Sequence, residues 1–352
     1  MHKMLFIVLL SSFSFGTTLF GNDTLKIQSA VEEYLSETGF SGTVLVAKSG
    51  QPVFHQSYGL AYRATPDTIQ NDYHYSIASI TKLFTAIRIL QLVEAGQIDL
   101  FTPVVEYLPA YRELIKEEVC PHHLLLHLSG LPEERNRFFL FEKPIEVLTQ
   151  GVLKRGKAGE FNTFNYNNID YILLGLLIEQ VTGTAWAEDM QTHILTPLGL
   201  RETGFLAYGD YPRNFAYAYS QKGKRLEQDR FFQIENFYAA GCMYSTSGDL
   251  LRLDQALYTN QLLSEEGRKL LGQSFPEVDY VGYSVWNYRY PFVEAQPQIM
   301  ERRGGIQGTN VVLVRLPEQQ YTIVILSNDD RFNPDSFGDP SNLREKLIRA
   351  LF

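Results

Sequence analysis

Ser79-Ile80-Thr81-Lys82 is the only S-x-x-K string in the chain, and its spacing has chemical content. On a helix, residues three apart share a face, so the Lys82 amine can reach the Ser79 hydroxyl. A serine hydroxyl becomes a useful nucleophile when a base takes its proton. A lysine serves as that base only where burial or nearby positive charge pushes its pKa down. Ile80, Leu83, Phe84, Ile87 and Leu90 supply an apolar stripe on the same segment. A helix N-terminus also offers backbone N–H groups, including that of Ser79, to a developing oxyanion. Taken alone the string is common, and an N-cap serine followed by a solvent-facing lysine accounts for it as well.

Three other stretches carry polar groups suited to related chemistry. Tyr166-Asn167-Asn168 stands just before a helical pattern at Ile169, Ile172, Leu173 and Leu176. A phenol with a depressed pKa can shuttle protons, and an amide two residues on can hold a peptide-like substrate. Tyr258-Thr259-Asn260 repeats the Y-x-N string, but order and context favour Tyr166. Arg302-Arg303-Gly304-Gly305-Ile306-Gln307-Gly308 precedes a strand at Val311. Its glycines allow close backbone approach by a ligand, and its paired arginines offer bidentate recognition of a substrate carboxylate; a basic turn with glycine bulges is the plainer alternative. His123 and His127 lie one helical turn apart but lack the intervening Glu of a zinc-protease motif. A packed or hydrogen-bonded His127 is therefore expected, with no metal and no cofactor assigned.

These groups need a frame. Ile27, Val31 and Leu35 mark a first helix over 25–36, closed near Gly39. The β-rich runs 43–47 and 52–56 flank Lys48-Ser49-Gly50-Gln51, the pattern of a hairpin. A second hairpin is expected from 311–316 and 321–326, followed by a terminal helix over 343–351. Between them the pattern is mainly helical, as at 80–95 and 168–181, each closed by a glycine, Gly96 or Gly183. A lone hairpin is marginal in water, so the two hairpins should join one antiparallel sheet covered by the terminal helices. An α/β (α+β) fold is expected: a sheet lobe from 24–60 and 280–352 beside a mainly helical lobe over 61–279.

Composition bounds the function. The chain has 352 residues, 45% hydrophobic, with a net charge of −9. It can bury a large core, while its surface repels phosphate backbones and anionic lipid, which argues against nucleic-acid and polybasic membrane roles. Met1-His2-Lys3 followed by an apolar, Ser-containing stretch to Phe20 reads as a secretory leader, 1–21, leaving 22–352 as the exported domain. After leader removal no stable membrane span is expected. Cys120 and Cys242 are too few for a disulfide scaffold; one bridge and two buried thiols both fit.

Together the strings resemble the serine β-lactamase and penicillin-binding family, in its class C β-lactamase, D-alanyl-D-alanine carboxypeptidase and esterase branch. The resemblance rests on the stretch from Tyr75 through Ser79 to Lys82, on Leu124-Leu125-Leu126-His127-Leu128-Ser129-Gly130-Leu131-Pro132, and on Tyr166-Asn167-Asn168. Pro197-Leu198-Gly199-Leu200, the stretch from Ala239 to Thr246, and Gly304-Gly305-Ile306-Gln307-Gly308 extend it. It implies a β-lactamase/transpeptidase-like fold and a serine hydrolase acting on a small-molecule or peptide substrate through an acyl-enzyme. Ser79 would be the nucleophile, Lys82 and Tyr166 the proton handlers, and Asn168 a substrate contact. The backbone N–H groups of Ser79 and Gly305 would form the oxyanion hole. One departure stands out: Arg302 and Arg303 occupy the positions where the family has Lys or His, then Thr or Ser. Arginine does not relay protons as a neutral group, but it can hold a carboxylate and lower the pKa of its neighbours. The alternative function is a non-catalytic penicillin-binding or sensor protein of the same fold.

Overall fold

In a computed structural model, residues 21–229 and 232–352 are described. The leader assigned to 1–21 lies outside these residues, apart from Gly21 itself. Helix α1 (Gly21–Thr38) leads into strands β1 (Gly42–Lys48) and β2 (Gln51–Tyr58). Strands β3 (Trp286–Arg289), β4 (Gln298–Ile306), β5 (Thr309–Leu316) and β6 (Tyr321–Ser327) follow late in the chain. These six form one antiparallel sheet in the order β3-β4-β5-β6-β1-β2, so the two chain ends meet at the β6–β1 pair. The β1–β2 turn uses Ser49 and Gly50, both at positive φ (48° and 75°), the geometry that matches the twist of a two-residue hairpin.

The main sheet reads as continuous apolar runs because both of its faces are covered. Val44 and Val46, Val312 and Val314, and Ile323 and Ile325 pack against Ile27 and Val31 of α1 and Leu343, Leu347 and Ile348 of α7 (Leu343–Ala350). The alternate residues Leu45, Leu313, Val311, Val324 and Leu326 face the other way, into a larger core. That core holds α2 (Thr81–Glu94), α3 (Pro121–Leu125), α4 (Ile145–Arg155), α5 (Asn168–Thr182) and α6 (Ser247–Ala256). Helix α2 is buried on nearly every side. Helix α5 starts where the Asn167 side chain accepts from the Ile169 N–H at 2.9 Å, and it stops at Gly183 with φ 69°.

The helical region also contains short strands that no periodicity announced. Met243–Ser245 lies between Tyr75–Ser76 and Gly204–Phe205 in a three-stranded sheet, and two small hairpins pair Leu60–Tyr62 with Asp67–Thr68 and Tyr219–Lys222 with Arg225–Gln228. Segments of two to four residues are too short for an alternation to register. Cys120 and Cys242 are both free thiols and both buried.

Candidate active site

The strand Tyr75–Ser76 passes into α2 through a single tight turn, Ala78–Ile80. Ala78 sits at φ 44°, a conformation costly for a residue with a Cβ and held here by complete burial. This turn presents Ser79, partly exposed, at the head of α2. One turn along, Lys82 is 0% exposed, and its Nζ donates to Ser79 Oγ (3.2 Å), Asn168 Oδ1 (2.6 Å) and the Ala240 carbonyl (2.8 Å). Burial lowers the Lys82 pKa to about 8; the charge of Arg302 adds to the lowering, and Tyr166 and Glu134 oppose it. On losing a proton the amine keeps two N–H groups for Asn168 and Ala240 and turns a lone pair toward Ser79.

Tyr166 stands across from this pair, in the loop that enters α5. Its ring lies 5.0 Å from Lys82 Nζ, and its hydroxyl accepts from Arg302 Nη2 at 2.7 Å. Burial alone would raise the phenol's pKa. The charges of Arg302 and Lys82, with hydrogen bonds to Lys82 and Ser79, carry it below the ordinary tyrosine value. Asn168, the first residue of α5, is gripped at both ends: Oδ1 by Lys82, and Nδ2 donating to Glu134 Oε1 at 2.6 Å.

Strand β4 closes the other side. Its register aligns Arg302 with Leu313, and through Val324 with Leu45, the face that looks toward α2. Arg303 aligns with Val312, Ile325 and Val44, the face that looks toward α1 and α7. The two arginines therefore leave the strand on opposite faces and take different partners, yet both guanidinium groups lie 5.3 Å from the Trp286 ring, and Arg303 borders the cavity in front of Ser79. Arg302 is 2% exposed and donates through Nε to the Ser79 carbonyl at 2.8 Å as well as to Tyr166. Arg303 donates to Glu301 Oε1 (Nε, 2.9 Å) and Asp335 Oδ1 (Nη1, 2.9 Å). The stretch is a strand up to Ile306, and Gln307 and Gly308 make the turn into β5. Gly304 is needed because a Cβ there would come within 2.7 Å of the Ile77 carbonyl and 3.0 Å of the Ser79 nitrogen. Gly305 follows at an exposed position of the same strand.

Ser79, Tyr166, Arg303, Gly304, Gly305 and Asp335 line a cavity of about 340 Å³, walled by Phe164 and Trp286. Tyr258 lies elsewhere, its ring under the Arg315 guanidinium at 4.6 Å. The two histidines do not converge either. His123 Nδ1 meets Cys120 Sγ at 2.9 Å, whereas His127 stacks beside Tyr166 with ring centroids 4.4 Å apart. His127 Nδ1 accepts from the Asn167 N–H (3.2 Å) and lies 3.1 Å from Asp170 Oδ2, while Ser129 Oγ donates to Asp170 Oδ1 at 2.5 Å. Burial raises the Asp170 pKa well above the usual carboxylate value, and burial with the nearby charges of Lys82 and Arg302 drives that of His127 well down. Both shifts favour the uncharged forms of the two groups. Glu134, Asp170 and Trp286 were not singled out from sequence. Glu133-Glu134-Arg135 reads as a solvated charge run, and only its position two residues after Leu131-Pro132 hints otherwise.

The arrangement can take a proton from Ser79, hold the amine in a cage of acceptors, and place a second titratable group at the same hydroxyl. The Beta-lactamase family model matches residues 27–348. The chain is 26% identical to penicillin-binding protein 4* of Bacillus subtilis (88% of this chain, 72% of that protein). It is 27% identical to a teichoic acid D-alanine hydrolase of Staphylococcus aureus, over 85% of this chain and 72% of that one. A crystal structure of a penicillin binding protein from Bacillus halodurans superposes with a TM-score of 0.75 at 26% identity, covering 93% of this chain and 99% of that one. With a match spanning nearly all of its described length, the chain belongs to the Beta-lactamase family, whose members are serine hydrolases.

Proposed function

We propose that the protein is an exported serine hydrolase in which Ser79 forms an acyl-enzyme with a small D-aminoacyl ester or amide. One observation carries this reading: a fully buried lysine, 3.2 Å from the Ser79 hydroxyl and with its pKa brought to about 8, has no carboxylate bonded to it. A structural lysine in such a place would be paired. The names of two relatives, a teichoic acid D-alanine hydrolase and a penicillin-binding protein, point to D-alanyl chemistry.

In the reaction, neutral Lys82 accepts the Ser79 proton as Oγ bonds to the substrate carbonyl carbon. The backbone N–H groups of Ser79 and Gly305 receive the oxyanion. Collapse breaks the bond to the leaving group, which takes a proton from Lys82 or Tyr166. Water then attacks the acyl-enzyme, giving up its proton to the same pair, and Ser79 is restored. Arg302 holds Tyr166 and the Ser79 carbonyl in register and stays charged throughout.

Incubation with a fluorophosphonate or a penicillin, followed by intact mass, is expected to give one adduct that Ser79→Ala lacks. An equal adduct on the variant would refute the reading. The arginine in place of the family's proton-relaying Lys or His favours one competing possibility, a penicillin-binding sensor. It would acylate stoichiometrically and turn over no D-alanyl ester.

A further inference from the structure

A second concave surface borders the catalytic wall and has a sign opposite to that of the chain. A groove of about 600 Å³ is lined by Arg135, Arg137, Lys143 and Arg155 together with the aromatic rings of Phe138 and Phe141. The protein as a whole carries −9. All four cations are exposed, and none forms an ion pair among the described residues, although Glu133 lines the same groove. Other surface cations do pair, as Arg112 does with Glu106, Arg289 with Glu318 and Lys346 with Glu33, while the hairpin cations Lys222, Lys224 and Arg225 form no ion pair among the described residues.

The groove has a built floor. Gly151 sits inside α4, where glycine costs about 1 kcal/mol relative to alanine. A Cβ there would lie 2.6 Å from Arg155 Nη2, the flexible end of a side chain that lies over this turn of the helix. At the end of α4, a Cβ on Gly156 would come within 2.3 Å of Pro132, so this glycine lets the helix close against the loop that also carries the active-site contacts. In that loop Glu133 accepts from Asn165 Nδ2 at 2.7 Å, and the next residue, Glu134, holds Asn168. Groove and nucleophile are thus joined through Glu134, Asn168 and Lys82.

We propose that this groove binds a linear phosphodiester polymer, and that the ester cleaved at Ser79 is carried on that polymer; the second clause rests on the hydrolase reading above. Cations spread along a trough suit a chain of single charges better than one small anion, which would need them to converge on a point. Guanidinium groups grip phosphate oxygens in a fixed fork, and the flanking rings suit the carbon segments between phosphates. The concavity favours a threaded chain over the flat surface of a bilayer.

The test uses the Ser79→Ala chain and a fluorescent glycerol-phosphate oligomer, followed by anisotropy. Binding that weakens with added salt is expected, with affinity falling about tenfold or more when Arg135, Arg137, Lys143 and Arg155 are all changed to Gln. Neutralising the exposed hairpin cations Lys222, Lys224 and Arg225 is expected to leave binding unchanged. Equal binding by the groove variant, or an equal loss in the hairpin variant, would overturn the proposal, as would association with anionic phospholipid vesicles but not with the oligomer. A second arm compares a D-alanyl ester on the oligomer with the same ester on free glycerol. The groove variant should lose about tenfold in kcat/KM on the first only, with fluorophosphonate labelling of Ser79 unchanged. Equal losses on both esters would sink the substrate clause. Absent labelling of the unaltered chain would instead refute the hydrolase reading, while the binding arm still decides the groove.

Discussion

Two buried arginine clusters share strand β4, one on each face, and they behave in opposite ways. On the face toward α7, Arg344 is completely buried and bonded to Glu301 Oε2 (2.7 Å from Nε), to Glu345 and to the Tyr288 hydroxyl. Arg303 joins it on Glu301, and Tyr290 donates to Glu345 at 2.5 Å. On the face toward α2, Arg302 and Lys82 meet a phenol, an amide and two carbonyls, with no carboxylate among the described residues bonded to either. Burial would push the Glu301 pKa up, yet Arg344 and Arg303 hold it below the ordinary value; on the other face Lys82 and Tyr166 both give up a proton more readily than usual. The low dielectric is common to both faces. Where carboxylates balance the cations the charges are locked and the role is structural; where they do not, proton affinities move into the working range.

Removing the movable proton should have the largest effect. Lys82→Ala is expected to lower kcat/KM for a D-alanyl ester by on the order of 10³-fold, the scale of a general base, with the far-ultraviolet spectrum unchanged. In the unaltered protein kcat/KM should climb about tenfold per pH unit on approach to about 8, where the amine becomes the majority form. A flat acid limb would remove Lys82 from the base role.

Glu301→Gln tests the other cluster and should show the reverse pattern. It leaves Arg344 and Arg303 buried against a neutral amide, which costs about 3–5 kcal/mol of folding stability by urea titration. Turnover per folded molecule should change little, because no Glu301 bond reaches Ser79. The sign with pH follows from the lowered carboxylate pKa. The stabilisation by Glu301 is present above its unfolded value and is lost as pH falls through the folded one, so the gap between the two proteins should narrow in acid. A collapse of turnover without loss of stability would erase the distinction between the faces.

Arg302→Met sharpens the comparison by removing charge from the catalytic face alone. Arg302 helps to lower both Lys82 and Tyr166, so both proton affinities should rise and the acid limb of the pH–kcat/KM profile should move to higher pH. Each unit of displacement costs about tenfold in rate at neutral pH. Arg302→Lys should keep the limb near its original place while losing rate through the missing fork. An unmoved limb in the methionine variant would limit Arg302 to packing.

What the sequence made legible divides along the same lines. Both hairpins, α2 and α5 were readable because each combines a long apolar pattern with a turn or cap residue at its end, as at Ser49-Gly50 and Gly183. Ser79, Lys82, Tyr166 and Asn168 were readable because residue type and order narrowed the choice, and the structure brings all four together. The placement of the arginine pair was not readable, for a definable reason. With Gly304-Gly305-Ile306-Gln307-Gly308 following it, the segment looked like a loop edge, and only its pairing as a strand sends Arg302 and Arg303 to opposite faces. Apart from the place of Glu134 two residues after Leu131-Pro132, neither Glu134 nor Asp170 carried a signal, since a carboxylate in a charge run or one turn into a helix looks solvated until tertiary packing buries it.

Asp170 supplies the smallest predicted effect. His127 Nδ1 already accepts the Asn167 N–H, so it carries no proton, and an ionised Asp170 would face it lone pair to lone pair. Burial, which raises the Asp170 pKa, favours the protonated acid that avoids this opposition. Asp170→Asn keeps a donor toward Nδ1 and an acceptor for Ser129, and kcat/KM is expected to stay within about threefold. Asp170→Leu strands both partners and should cost about 1–3 kcal/mol in stability. A carboxylate whose folded pKa lies above its unfolded value contributes fully below the unfolded one and loses that contribution as pH rises through the folded one. Asn lacks this titration, so Asp170→Asn should flatten the decline in stability on going from acid toward neutral pH. If Asp170→Asn destabilised the protein as much as Asp170→Leu, the acid would have to be ionised, and the α2 face would hold a compensating carboxylate after all.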